Sequence, residues 1–335
     1  MAEDAGKADW NTLWNDRLKP WLEGLESERR AAVRERRLWT LGGAVLGLGA
    51  GAAVAANTGE AVIAAFGLAG GLVAGLLIGN RRVHRLAKRV KSRLNTAVAE
   101  ALGLSYAGTP AEPARFSTFR DYGLLPSSDR RAFEDHFSGH REGCDFELYE
   151  AHLEQKRRSD KRTYYVTVFR GVLIRINFPR RVEGVTVITR DRGWFNGLAA
   201  LGRSFGSNKL ERIGLVDPKF ERVFEVYGND QVLARYMLTP SFMERLLALE
   251  ESLHGKHVRA LFDADSGQGE LLIAAETGDF FEIGTMSRPL ADQSRVQALV
   301  GELTQVLGLI ELLVEPAKFG EHAAVDMSAM TDNQA

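Results

Sequence analysis

The sequence predicts an α+β protein: a two-helix transmembrane hairpin followed by a cytoplasmic antiparallel-sheet domain with several helices. Residues 38–79 carry a single charge, Glu60, and fall into two apolar stretches of about bilayer length around Asn57, Thr58, Gly59 and Glu60. Both ends of that block are basic. Beyond residue 115, strand-like and helix-like patterns come in runs and not in strict alternation, which favours an antiparallel sheet with helices set apart from it.

Taken in order, residues 1–37 read as a cytoplasmic amphipathic helix, because Trp10, Leu13, Trp14, Leu18, Trp21, Leu22 and Leu25 recur at three-to-four spacing, with a bend expected at Pro20. Its tryptophan face suits either a bilayer interface or docking on the soluble domain or a partner chain. Residues 38–79 form the hairpin. Helices apolar all round belong in a membrane or deep in a large core, and a length of this kind favours the membrane. Gly43, Gly47 and Gly51 on one helix and Gly67, Gly71, Gly75 and Gly79 on the other stand at steps of four, so each set lines one face. Small residues let backbones approach where lipid supplies no hydrophobic drive, within the hairpin or between neighbouring chains.

Arg29, Arg30, Arg34, Arg36 and Arg37 precede the hairpin, and Arg81, Arg82, Arg85, Lys88, Arg89, Lys91 and Arg93 follow it. Basic flanks stay on the cytoplasmic side, so both termini are expected there, with membrane lipid as a partner at Arg81, Arg82, Arg85, Lys88 and Arg89. Residues 80–114 make a basic juxtamembrane helix, striped by Val83, Leu86, Val90, Leu94, Val98 and Leu102, and then a linker over 106–113.

The soluble α+β domain covers 115–320, and 321–335 reads as a disordered tail. Asp129 is expected to cap a short helix through Phe133 and Phe137 that ends at Gly139. Residues 146–153, 164–178 and 185–188 read as strands, with Arg170 and Gly171 as a turn or bulge that divides the second stretch into two strands. A long loop over 192–209 carries Trp194 and Phe195. Asp217 and Pro218 open a helix, 231–235 and 241–253 continue helical, 258–262 and 270–275 are strands with 280–283 as a further one, and 291–313 closes with a helix.

Composition excludes little beyond disorder. A 45 % hydrophobic content can build a core, and 43 basic against 44 acidic residues give no case for nucleic acid. The N-terminus lacks the basic start and early apolar run of a cleavable signal. The single cysteine, Cys144, cannot form an internal disulfide.

The run Phe169-Arg170-Gly171, then Phe178-Pro179, then Phe220-Glu221-Arg222-Val223-Phe224 with Val226-Tyr227, and above all the stretch 230–245, resembles a bacterial membrane family catalogued as a domain of unknown function (DUF3137-like). The likeness spans about residues 100–285 together with the hairpin. It implies a bacterial inner-membrane location and supplies no reaction, cofactor or catalytic residue.

Constellations for chemistry are sparse. His136, His140 and Cys144 are spaced by four, but Gly139 and Gly143 would break the helix needed to align them as metal ligands. His254 and His257 follow a helix without carboxylates at ligand spacing, and no phosphate loop, nucleophile elbow or zinc motif occurs. No cofactor is expected. Asp230, Arg235 and Tyr236 form the most interesting polar cluster: Arg235 turned inward would hold a carboxylate or phosphate, whereas an internal pairing with Asp230 or Glu225 would make it structural. Arg175, Arg180 and Arg181 read as a solvated basic strand edge. The function expected is therefore non-enzymatic, a membrane-anchored interaction or scaffold protein binding a protein partner. The alternatives are a ligand-sensing or enzymatic pocket at Asp230, Arg235 and Tyr236, and a glycine-zipper homo-oligomer.

Overall fold

A computed structural model describes residues 12–159, 162–177, 184–190, 210–252, 256–263 and 269–314, which form two units. Trp10, residues 178–181, the 192–209 loop, His254 and the tail lie outside the described residues.

The first unit comprises the chain up to Gly103 together with Phe281–Gly301. A π-helical turn, Leu13–Leu18, runs straight into α1, Lys19–Thr58. The bend expected at Pro20 is replaced by this turn, since a proline at the second position of a helix has no N–H to waste. Leu13, Trp14, Leu18 and Leu22 are buried within the protein, so this helix is docked and its apolar face is not left for a bilayer. Gly59, at φ +77°, ends α1, and α2 follows as Val62–Ala101. The glycines face each other across the pair. A Cβ added at Gly47 would sit 2.9 Å from Gly71 Cα, and one at Gly67 would sit 2.9 Å from Gly51 Cα, so only hydrogen fits at these crossings.

The same register continues beyond the apolar block. Glu35 pairs with Arg82 at 2.8 Å, Glu28 with Arg89 at 2.5 Å, and Glu26 with Arg29 at 2.6 Å along α1 itself. The two interhelical pairs lie seven residues apart on each helix, which keeps them on one seam of an antiparallel coiled coil. Val83, Leu86, Val90, Leu94 and Val98 bury the stripe read from the sequence. In contrast, the apolar windows of the two helices are only 6 % and 11 % buried. Both helices are thus long and apolar enough to cross a membrane, and their apolar sides are uncovered, unlike those of a soluble core helix.

The segment Phe281–Gly301 completes this unit through backbone groups. Arg29, itself buried, donates from Nη1 to Met286 O at 2.8 Å, and Glu26 accepts from Leu290 N at 3.2 Å. Lys91 reaches Glu282 at 2.5 Å, and Arg295 donates to the carbonyls of Ile283 at 2.6 Å and Thr285 at 2.5 Å. The Arg29 side chain, opposed by burial and aided by the Leu290 N–H and Arg30, lowers the Glu26 pKa from 4.5 to about 2. A carboxyl held lower in the folded state adds stability above its ordinary pKa and loses it as pH falls toward the folded value, here between about 5 and 2. The contribution is roughly 2 to 3 kcal/mol. Thermal midpoints of wild type and Glu26→Gln should therefore differ at pH 7 and converge as pH drops through that window. A gap independent of pH would show that the carboxylate charge is immaterial.

The second unit takes Leu104–Phe280 and the chain from Glu302 on. Its described strands are β1, Ser105–Ala107; β2, Arg130–Arg141; β3, Cys144–Ser159; β4, Arg162–Asn177; β5, Val185–Thr189; β6, Glu211–Ile213; β7, Glu225–Gly228; β8, Lys256–Asp263; and β9, Glu270–Glu276. Among the described residues they form one antiparallel sheet of nine strands in the order β1-β2-β3-β4-β9-β8-β5-β7-β6. The helices are α3, Phe116–Asp121; α4, Pro218–Val223; α5, Gln231–Met237; α6, Pro240–Ser252; and α7, Gln293–Val314.

One face of the sheet gathers Tyr149, Ala151, Leu153, Phe169, Leu173, Leu261, Leu272 and Ala274 against Phe116 and Phe119 of α3 and Leu124 and Leu125. On the opposite face Phe242 of α6 meets Phe262 at 5.2 Å between ring centroids. Covering both faces explains why residues 271–275 are buried without alternation.

Four expectations are corrected. Residues 130–141 are a strand and not a helix. Phe133 and Phe137 stand four apart, which mimics a helical period, but a bulge between Glu134 and Phe137, with Asp135 at φ +49°, turns them to opposite faces. Phe133 packs edge-on against Phe116, while Phe137 meets Tyr106. Glu142 and Gly143, both at positive φ, then make the tight turn into β3. Arg170 and Gly171 interrupt nothing: β4 is continuous, and the irregularity lies at Leu153 and Glu154 on β3. Part of the linker, Ser105–Ala107, pairs as an edge strand fixed by Tyr106 donating to Asp135 at 2.6 Å. Residues 280–283 are not a strand, and Phe281 takes φ +55° with its ring fully buried.

Candidate functional site

Asn229 and Asp230 start α5 for separate reasons. The Asn229 side chain accepts from Val185 N at 2.8 Å, tying the helix start to β5. The Asp230 carboxylate accepts from the N–H groups of Val232 at 2.8 Å and Leu233 at 3.0 Å, satisfying donors that the first helical turn leaves open. Asp230 is therefore a cap. Ala234, Met237 and Leu238 turn inward, so Val232, Arg235 and Tyr236 turn outward, and Val232 and Tyr236 stand one helical turn apart.

Arg235 is exposed and donates from Nε to Gly214 O at 3.3 Å, away from Asp230 and Glu225. Glu225 instead accepts from the Tyr227 hydroxyl at 2.8 Å; burial, then this carboxylate, push the Tyr227 phenol up to about 12. The Arg235 contact sets residues 214–216 beside α5. Val216, Val232 and Tyr236 are 92 %, 78 % and 51 % exposed, three of the five large apolar side chains so exposed in this unit among the described residues. The three sequence-predicted residues thus share one short helix, as a cap, an exposed cation and a half-exposed ring. Trp194 and Phe195 lie outside the described residues. Sequence reasoning missed Val216 and Val232, whose signal was an apolar residue on the polar side of a short helix or in a loop.

A second polar assembly sits on the α3 face of the sheet. Arg115, just before α3, pairs with Asp263 and lies 2.8 Å from Glu270. Arg175 contacts Glu270 at 2.5 Å and Glu147 at 3.2 Å. Burial works against the Arg175 charge, and the two carboxylates more than offset it, so its pKa is raised. Arg175 is accordingly no free basic edge. Asp263 and Glu270 are opposed across β8 and β9 and almost wholly buried, so their pairing is structural. Their signal in the sequence was an acid at the end of each of two apolar runs.

Among the described residues no cluster of three metal-ligating side chains occurs. His136 stacks on Tyr149 at 4.1 Å, with burial lowering its pKa, and His140 meets Asp145 at 2.9 Å. Cys144 is buried, and burial followed by Asp145 and Glu142 raises its pKa, which leaves it a poor nucleophile. A cleft of about 580 Å³ between α4 and α6 is lined by Asp217, Lys219, Arg222, Glu244 and Glu251, charges of both signs, together with Pro218, Leu247 and Ala248.

No curated protein matches this sequence. Among solved structures, the crystal structure of the mycobacterial trehalose monomycolate transport factor A, TtfA, is similar at 12 % identity and a TM-score of 0.30, covering 67 % of this chain and 96 % of that one. A family described as a protein of unknown function (DUF3137) matches residues 167–314. The matched stretch runs from within β4 to the end of α7.

Proposed function

We propose that this is a non-enzymatic, membrane-anchored interaction protein of the bacterial inner membrane. Its hairpin crosses the bilayer with both termini cytoplasmic, and the outward face of α5 docks a protein partner. The observation that carries the docking reading is the gathering of Val216, Val232 and Tyr236 around Arg235, since aromatic, apolar and arginine side chains together make the centre of protein interfaces. The anchor rests on the uncovered apolar windows of α1 and α2, and the orientation on Arg36, Arg37, Arg81, Arg82 and Arg85 at one end of both helices.

Native mass spectrometry of the full-length protein, gently extracted from its own membrane, tests it. The expected result is a stoichiometric second protein, lost by at least tenfold when Val232→Glu and Tyr236→Glu are combined, with an unchanged thermal midpoint. A bare chain, a homo-oligomer alone, or recovery indifferent to the double substitution would sink the docking reading. Failure to fractionate with membranes would sink the anchor.

A further inference from the structure

The β3–β4 hairpin carries a run of exposed basic side chains. Lys156, Arg157, Arg158 and Arg162 are exposed near its tip, and none of them forms an ion pair with a described residue. The closest described acids are Glu154 in β3 and Asp129 just before β2. The Asp129 carboxylate is engaged, accepting from the Lys156 backbone N–H at 2.7 Å.

Pairing sorts the tip into two faces. Lys156 opposes Tyr165 and Arg158 opposes Thr163 on one side, where Arg130 covers the Tyr165 ring at 3.4 Å from its centroid. Arg157 opposes Tyr164 on the other side, with Arg162 and Val166 in the same row. There Tyr164 and Val166 are 50 % and 40 % exposed beside two uncompensated guanidinium groups.

We propose that this face of the hairpin tip docks on an anionic phospholipid surface. A phospholipid interface takes both halves of the pattern at once. Lipid phosphates and acidic headgroups neutralise the arginines, while a tyrosine ring and a valine settle at the depth where water gives way to acyl chain. A two-stranded ribbon whose cations are divided between two faces does not hold an acidic peptide in one register. A two-stranded ribbon also fits a DNA major groove, but a chain with net charge −1 lacks the surplus of cations that nucleic-acid binding relies on. Charge complementarity with the lipid that surrounds an anchored protein decides between them. The proposal rests on membrane anchoring as read above.

The test uses full-length protein bearing Ser159→Cys, labelled with an environment-sensitive bimane; Cys144 is buried and is left unlabelled under native conditions. Proteoliposomes of phosphatidylcholine alone, or with three parts in ten of phosphatidylglycerol, carry a headgroup-spin-labelled quencher lipid. Quenching is expected only with phosphatidylglycerol. Combining Arg157→Gln and Arg162→Gln should lower the ratio of docked to undocked tip roughly 30-fold, about 1 kcal/mol per charge. Equal quenching in both lipids, no quenching in either, or quenching indifferent to the arginine changes would overturn the proposal. So would a label shielded by added polyglutamate or duplex DNA but not by lipid. Protein that fails to enter the vesicles would refute the anchor and not the tip.

Discussion

Arg115→Ala should destabilise the sheet unit by about 3 to 5 kcal/mol, the largest single-side-chain effect expected in this protein. Arg115 is the cation shared by Asp263 and Glu270, whose side chains are 1 % and 4 % exposed. Removing it leaves two carboxylates opposed across β8 and β9 with little water to solvate them and without the cation they share. Thermal unfolding of the full chain in detergent should fall by about 10 °C. The same truncation in an Asp263→Asn background should be distinctly milder, because the charge left unbalanced is no longer there. A loss below about 1 kcal/mol in the single variant would mean that solvent reaches the acids and that the network is ordinary surface pairing.

Gly171→Ala is expected to cost about 3 kcal/mol for a reason that has nothing to do with charge. A Cβ at Gly171 would collide with the Ala275 carbonyl and lie 2.7 Å from Thr277 N and 2.9 Å from Glu276 Cα. All three are backbone of the neighbouring strand, so no rotamer change relieves the clash, and β4 and β9 must separate where their pairing begins at Val172 and Ala275. The midpoint in denaturant should drop, with protection against amide exchange lost first in residues 271–276. A substitution tolerated within 0.5 kcal/mol would show that the end of β9 yields freely.

These two residues also mark what a reader of the sequence can and cannot see. Gly171 was visible as an oddity in an apolar strand, and the reading of it as a turn or bulge was the local one; the actual cause, close approach of β9, comes from a strand a hundred residues away. Apolar runs 258–262 and 270–275, the Asp217-Pro218 helix start and the long glycine-faced helices were legible because each is decided by its own neighbours. The helix expected through Phe133 and Phe137 to Gly139 failed because two phenylalanines at four-residue spacing carry the same signal in a helix and in a bulged strand. Asp230, Arg235 and Tyr236 were found as residues of one short helix, but the capping role of Asp230 and the outward turn of Arg235 to Gly214 O were not read from the sequence. Arg115, Asp263 and Glu270 could not be found as a set, because only the sheet order brings them together.

The return of Phe281–Gly301 to the helical unit bears on biogenesis. Both membrane-length helices, which end at Ala101, are synthesised well before residues 281–301. Yet Arg29 and Glu26 receive the Met286 carbonyl and the Leu290 N–H only after about 180 further residues, nearly all of the strands among them, have left the ribosome. Until then a guanidinium destined for burial stands at the base of the helical pair without its final acceptor. Synthesis of the helical pair and completion of that unit are thereby separated in time, and the sheet is made in the interval.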